Sequence, residues 1–159
     1  MKVNSILLDT SFFIRLLNVN DPLHTITKQS YKYFLNQNNI LVCSTISIAE
    51  YCVIGSIKDL PLDNIQILSF NFNHSLRSSE FARIVFDSRK EKQIEINDRK
   101  IIPNDTKLFA QADSEKNITH YISSDLESLK IYKLLNQKAN INFKFLELSS
   151  DLQVVLNEN

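Results

Sequence analysis

Short apolar runs alternate with longer stretches of helical spacing along nearly the whole chain, and that alternation limits the architecture more than any other feature. Apolar runs at residues 3–8, 40–43, 65–70, 120–123 and 143–148 have the length and composition of buried strands. Residues 11–18, 23–38, 45–57, 75–89, 103–117 and 126–138 instead read as helices, the fourth of these through Leu76, Phe81, Ile84 and Val85. Strands joined by helices pair in parallel and bury both faces of the sheet. The expected fold class is therefore α/β, a mainly parallel central sheet with helices on each side.

A length of 159 residues suits one domain with a real core. Hydrophobic residues at 43% and charged residues at 23% argue for a soluble globular chain. Eighteen basic residues balance eighteen acidic ones, so no global positive field draws in nucleic acid, and any such contact must use local patches. Gly55 is the only glycine, which excludes both a P-loop and a GxGxxG dinucleotide fingerprint. After Lys2 the apolar stretch is short and Asp9 arrives early, unlike a signal peptide. No apolar run is long enough to span a bilayer, so no membrane contact is expected and the location is expected to be cytoplasmic. Cys43 and Cys52 lie in apolar surroundings without CxxC spacing and read as small buried hydrophobes. The charged stretch 88–100 reads as a mobile loop, its basic residues as a solvated helix end.

Four acids fall where such a fold would bring them to one edge of the sheet. Asp9 ends the first apolar run, Glu50 is embedded in a helical segment after the second, Asp105 opens a helix after Pro103, and Asp125 closes the fourth run. In open α/β sheets ligands bind outside the carboxyl ends of the strands. Crowded carboxylates repel one another, and a divalent cation is the usual resolution. Taken singly, Asp105 and Asp125 read better as helix caps. Glu50 is the least cap-like, because a carboxylate among Ile48, Ala49, Tyr51, Cys52 and Val53 is costly to bury without a cation or donors.

The ordered set of motifs resembles the PIN-domain nucleases. Leu7-Leu8-Asp9-Thr10-Ser11 matches that family's opening strand, and Ser44-Thr45-Ile46-Ser47-Ile48-Ala49-Glu50 its helical Glu. Asp105-Thr106-Lys107-Leu108-Phe109-Ala110-Gln111-Ala112 fits its third acidic motif, and Ser123-Ser124-Asp125 its Thr/Ser-x-Asp strand end. Lys107 and Gln111 depart from it, standing at positions often small or apolar in the family. The resemblance runs from about residue 3 to about residue 148 and is nearest to small bacterial toxin ribonucleases of the VapC type.

This resemblance implies a PIN-like three-layer α/β/α sandwich over residues 1–148 with a C-terminal tail at 149–159. It implies a metal-dependent endoribonuclease in which Asp9, Glu50, Asp105 and Asp125 bind Mg²⁺ or Mn²⁺. Ser11, Ser123 and Ser124 would orient the carboxylates or their waters, with helix capping an equal alternative. RNA is the implied substrate, with an antitoxin protein and a second copy of the chain as partners. A PIN-like module that binds RNA or protein without cutting is the second reading. A phosphatase of the haloacid-dehalogenase type would need a second Asp where this chain has Ser11.

Overall fold

Ser5–Leu8 (β1) is buried along its whole length, as a strand covered on both faces must be, and it forms the middle of the sheet. A computed structural model describes residues 4–96, 101–149 and 151–152. After β1 come Thr10–Leu17 (α1) and His24–Asn36 (α2), then Ile40–Ser44 (β2) and Thr45–Tyr51 (α3). Ile65–Leu68 (β3), Phe72–Lys90 (α4) and Ile101–Ser114 (α5) follow, then Ile118–Ser123 (β4), Leu126–Lys138 (α6) and Lys144–Glu147 (β5). Every neighbouring pair is parallel in the order β3-β2-β1-β4-β5. The strand order reverses direction at β1, so the crevice between the carboxyl ends of β1 and β4 is the switch point where such sheets bind ligands.

Successive residues of the central strands go to opposite faces. Leu7, Val42 and Tyr121 pack with Phe81, Val85, Leu108, Phe109, Ile131 and Leu135 from α4, α5 and α6. Ile6, Leu8, Leu41, Cys43 and Ile122 pack with Phe12, Phe13, Phe34 and Tyr51 from α1, α2 and α3. These are the three layers of an α/β/α sandwich, and truncating one buried Phe such as Phe109 typically costs about 3–5 kcal/mol. Leu152, within the stretch read as a tail, is also buried against the second cluster. The rest of that stretch, apart from residues 149 and 151, lies outside the described residues, as do residues 97–100 of the stretch 88–100.

Several boundaries differ from the periodicity for identifiable reasons. The third helix ends at Tyr51 rather than near residue 57, because beyond it the bonding tightens to turns: Val53 N–H bonds Glu50 O at 3.3 Å and Ile54 N–H bonds Tyr51 O at 3.1 Å. A Cβ on Gly55 would stand 2.4 Å from the Tyr51 ring. The fourth helix starts at Phe72, earlier than residue 75, since Asn71 and His74 form a reciprocal capping box. It runs on through Lys90, so residues 88–90 are helical, with Ser88 buried. With one glycine in the chain, the left-handed backbone beyond α2, α4 and α6 is taken by Asn38 (φ 55°), Lys92 (φ 58°) and Asn140 (φ 48°). Cys43 is buried, which pushes its thiol up to about 12, but Cys52 is exposed, contrary to the expectation from its neighbours. Among the described residues no helix is long and apolar enough to cross a membrane.

Candidate functional site

Asp9 leaves β1 in extended conformation, and its N–H bonds Ile122 O at 3.1 Å, which locks it beside the end of β4. Its Oδ2 accepts from Ser11 N–H (3.3 Å), Ser11 Oγ (2.7 Å) and Ser123 Oγ (2.7 Å). Asp9 therefore caps α1 and is also clamped from the neighbouring strand. Ser11 Oγ in turn accepts from Ser124 N–H at 3.1 Å, and Ser123 Oγ accepts from Asp125 N–H at 3.1 Å. The two serine hydroxyls lie 3.3 Å apart, so the ends of β1 and β4 share one hydrogen-bonded knot.

Glu50 comes to the same edge from α3, whose N-cap is Ser44 at the end of β2. Thr10 Oγ1 donates to Glu50 Oε2. Burial raises the Glu50 pKa; the Thr10 bond opposes this, the Asp9 charge adds to it, and the Lys107 charge lowers it again.

Asp105 stands in the second turn of α5, because that helix begins at Ile101 and Pro103 sits in its first turn. It neither opens nor caps the helix, contrary to the reading from Pro103. Its Oδ2 is buried and has no hydrogen-bond partner. Burial, then the charges of Asp9, Asp125, Glu50 and Glu127, push its carboxyl up to about 8. Asp125 does cap: Oδ1 accepts from Glu127 N–H (2.8 Å) and Ser128 N–H (3.4 Å) at the start of α6.

Burial first, and then the charges of Asp9, Asp125 and Glu50, hold the Asp105 carboxyl well above its ordinary value. Among the described residues, however, no three acidic, histidine or cysteine side chains are grouped tightly enough to hold a metal ion. The donor chemistry still suits a hard divalent cation. All four groups are carboxylates, and an orphaned, buried carboxylate oxygen among like charges is what such an ion relieves.

Known structures share this arrangement of elements. The VapBC2 complex from Rickettsia felis bound to a DNA fragment from their promoter matches with TM-score 0.54 and 18% identity over 89% of this chain and 96% of that one. VapC20 from Mycobacterium tuberculosis, a Sarcin-Ricin loop cleaving toxin, matches with TM-score 0.54 and 16% identity over 78% of this chain and 92% of that one. DNA-bound VapBC from Salmonella typhimurium matches with TM-score 0.56 and 12% identity over 92% of this chain and 100% of that one. The chain has the PIN-like fold of the VapC structures. No protein-family model matches the sequence, and no curated protein matches it. At these identities the likeness is one of topology.

Within the PIN-like fold, several supporting residues escape a reading of motifs. Thr10 was visible only as the neighbour of Asp9, yet it is the donor to Glu50. Gln111 is fully buried: it accepts from Ser44 Oγ at 2.5 Å and donates to Leu68 O at 3.4 Å, so it pins α5 to the ends of β2 and β3. One turn earlier, Lys107 supplies positive charge to Glu50. Ser124 Oγ meets no carboxylate; it accepts from Arg15 Nε at 2.7 Å, while Arg15 Nη1 holds Asp21 at 2.9 Å. Asp113, further along α5, is buried, pairing with Arg77 Nε (2.7 Å) and accepting from Asn142 N–H (2.8 Å).

Proposed function

We propose that the protein is a divalent-metal-dependent endoribonuclease and the toxin of a toxin–antitoxin pair. The observation that carries this reading is Asp105, whose unpartnered oxygen sits amid the charges of Asp9, Glu50 and Asp125 at the switch point of a PIN-like sheet. Asp9, Glu50, Asp105 and Asp125 would hold Mg²⁺ or Mn²⁺, which supplies Lewis-acid stabilisation of charge on a phosphodiester. Ser11 and Ser123 hold Asp9 in one orientation, and Thr10 does the same for Glu50. With zero net charge, RNA contact falls to local cations, such as Lys107, whose charge acts on Glu50, and Arg15, which bonds Ser124.

Ribonucleolytic action is supported by the shared fold with VapC20, a Sarcin-Ricin loop cleaving toxin, and an antitoxin partner by the two VapBC structures. Ile14 and Leu17 on α1, with Val53 and Ile54 just beyond α3, are exposed apolar side chains suited to a protein partner; Phe12 and Phe13, by contrast, are core. A homodimer belongs to the same reading.

Cleavage of labelled structured RNA with Mg²⁺ or Mn²⁺ tests the proposal, with a chelator and Asp9→Asn as controls. Loss of cleavage in both controls supports it. That no three of the described carboxylates are grouped tightly enough to hold an ion favours one second reading, a PIN-like module that binds RNA or protein without hydrolysis. Metal-independent RNA binding with no cleavage across several RNAs would establish that reading instead.

A further inference from the structure

Tyr121 on β4 is fully buried, and among the described residues it is one of the largest side chains so enclosed. Its ring is accounted for by packing: the centroid lies 5.0 Å from Phe109, 6.2 Å from Phe143 and 5.5 Å from Phe145. Its hydroxyl is not. Tyr121 Oη has no hydrogen-bond partner, and an unpaired buried hydroxyl costs about 1–3 kcal/mol that a phenylalanine in the same place would avoid.

The sheet register places that hydroxyl. Tyr121 pairs with Leu7, so Asp9 and Ser123, each two residues further along, share its face of the sheet one pleat closer to the acidic edge. In the layer above, Phe109 covers the Tyr121 ring, and Asp105 lies one turn before Phe109 on the same side of α5. Asp105 Oδ2, Tyr121 Oη and Ser128 Oγ are all buried and all unpartnered. The phenol is raised well above its ordinary pKa by burial first and then by Asp9 and Asp105; Ser128 and Asp9 also act on it as neighbours in hydrogen-bonding range, though neither is seated at full bonding geometry.

We propose that Tyr121 is a positioning residue of the acidic site, its phenol donating its one proton from beneath to the Asp9 carboxylate and holding it, beside Asp105, in the arrangement that grips a divalent cation. This rests on the reading that those carboxylates bind such an ion. A neutral donor suits the position: it orients the Asp9 carboxylate without competing for it as a second cation would.

The test is Mn²⁺ binding to the full chain followed by electron paramagnetic resonance, in wild type, Tyr121→Phe, Phe145→Leu and Asp9→Asn. Tyr121→Phe keeps the ring, and it is expected to weaken Mn²⁺ binding about tenfold, at the low end for groups that orient metal ligands, and to change the line shape of the bound ion. Its metal-free melting temperature should not fall, because the substitution removes an unpaired buried hydroxyl. Phe145→Leu disturbs the same ring cluster and is expected to lower the melting temperature while leaving affinity and line shape alone. If wild type binds, Asp9→Asn does not, and Tyr121→Phe binds as wild type does, the proposal is overturned and the metal site stands. An equal loss of affinity in Phe145→Leu also overturns it, by reducing Tyr121 to packing. Absence of Mn²⁺ binding by the wild type overturns both this proposal and the site it rests on.

Discussion

Ser123 Oγ donates to Asp9 Oδ2 at 2.7 Å across 114 residues of sequence, joining the carboxyl ends of the two strands that flank the switch point. The serine is fully buried, so the bond has no competition from water. Ser123→Ala removes one of three donors to that oxygen and loosens Asp9, which keeps only the two from Ser11. We expect about a tenfold loss in RNA cleavage rate with a stability loss of about 1–2 kcal/mol, read by single-turnover kinetics and thermal melting. Full activity in Ser123→Ala would show that Ser11 alone suffices to orient Asp9.

Asp105 makes the metal-free protein pH-sensitive. Its folded-state carboxyl titrates at about 8, above its ordinary value, so the folded chain holds a proton that the unfolded chain has released. The stability this contributes is complete below about pH 4 and is lost as pH rises through about 8. Melting temperature without metal should therefore fall across that window, and Mn²⁺ should restore it at the alkaline end. Asp105→Asn should flatten the dependence and raise the metal-free melting temperature at pH 8 by about 2–4 °C, the shift that about 1 kcal/mol produces at this size. The same variant should not cleave RNA. A pH profile identical to wild type would rule out Asp105 as its source.

Gln111 ties three elements by its amide alone. Replacing it with Leu keeps the volume but leaves Ser44 Oγ and Leu68 O without that partner inside the protein. We expect a loss of about 2–3 kcal/mol in denaturant unfolding, well above the effect of an isosteric apolar exchange in the core. A loss below about 1 kcal/mol would mean that water reaches both groups.

Lys92 follows α4 with φ at 58°, a conformation that is costly for a side chain bearing a Cβ. Lys92→Gly should stabilise the protein by about 1 kcal/mol and raise its melting temperature by about 2–4 °C, with cleavage unchanged. A lower melting temperature would indicate that the lysine side chain contributes more than the backbone strain removes.

Much of the architecture is written locally. The runs at 5–8 and 40–44 are apolar enough to be buried on both faces, and such strands joined by helices have few arrangements other than a parallel three-layer sandwich. The order of the four acids was legible for the same reason, since each ends a strand or sits in the helix beside one. Helix ends were less legible: the Asn71–His74 capping box resembles an alternating strand until its side chains are seen to close on the backbone. The burial of Asp113 was not legible, because its partners, Arg77 and Asn142, are distant in sequence.

By itself the sequence determined which residues could be strands, which could be helices, and where along them carboxylates would fall, because periodicity and strand-end position are properties of neighbouring residues. Only the tertiary structure decided what each carboxylate became. Asp125 is satisfied as a cap, Asp9 is clamped by serines from two elements, and Asp105 is left with a buried, unpartnered Oδ2 among three other carboxylates of the site. Desolvation and the repulsion of like charges depend on distance through space, and folding sets that distance between residues far apart in the chain.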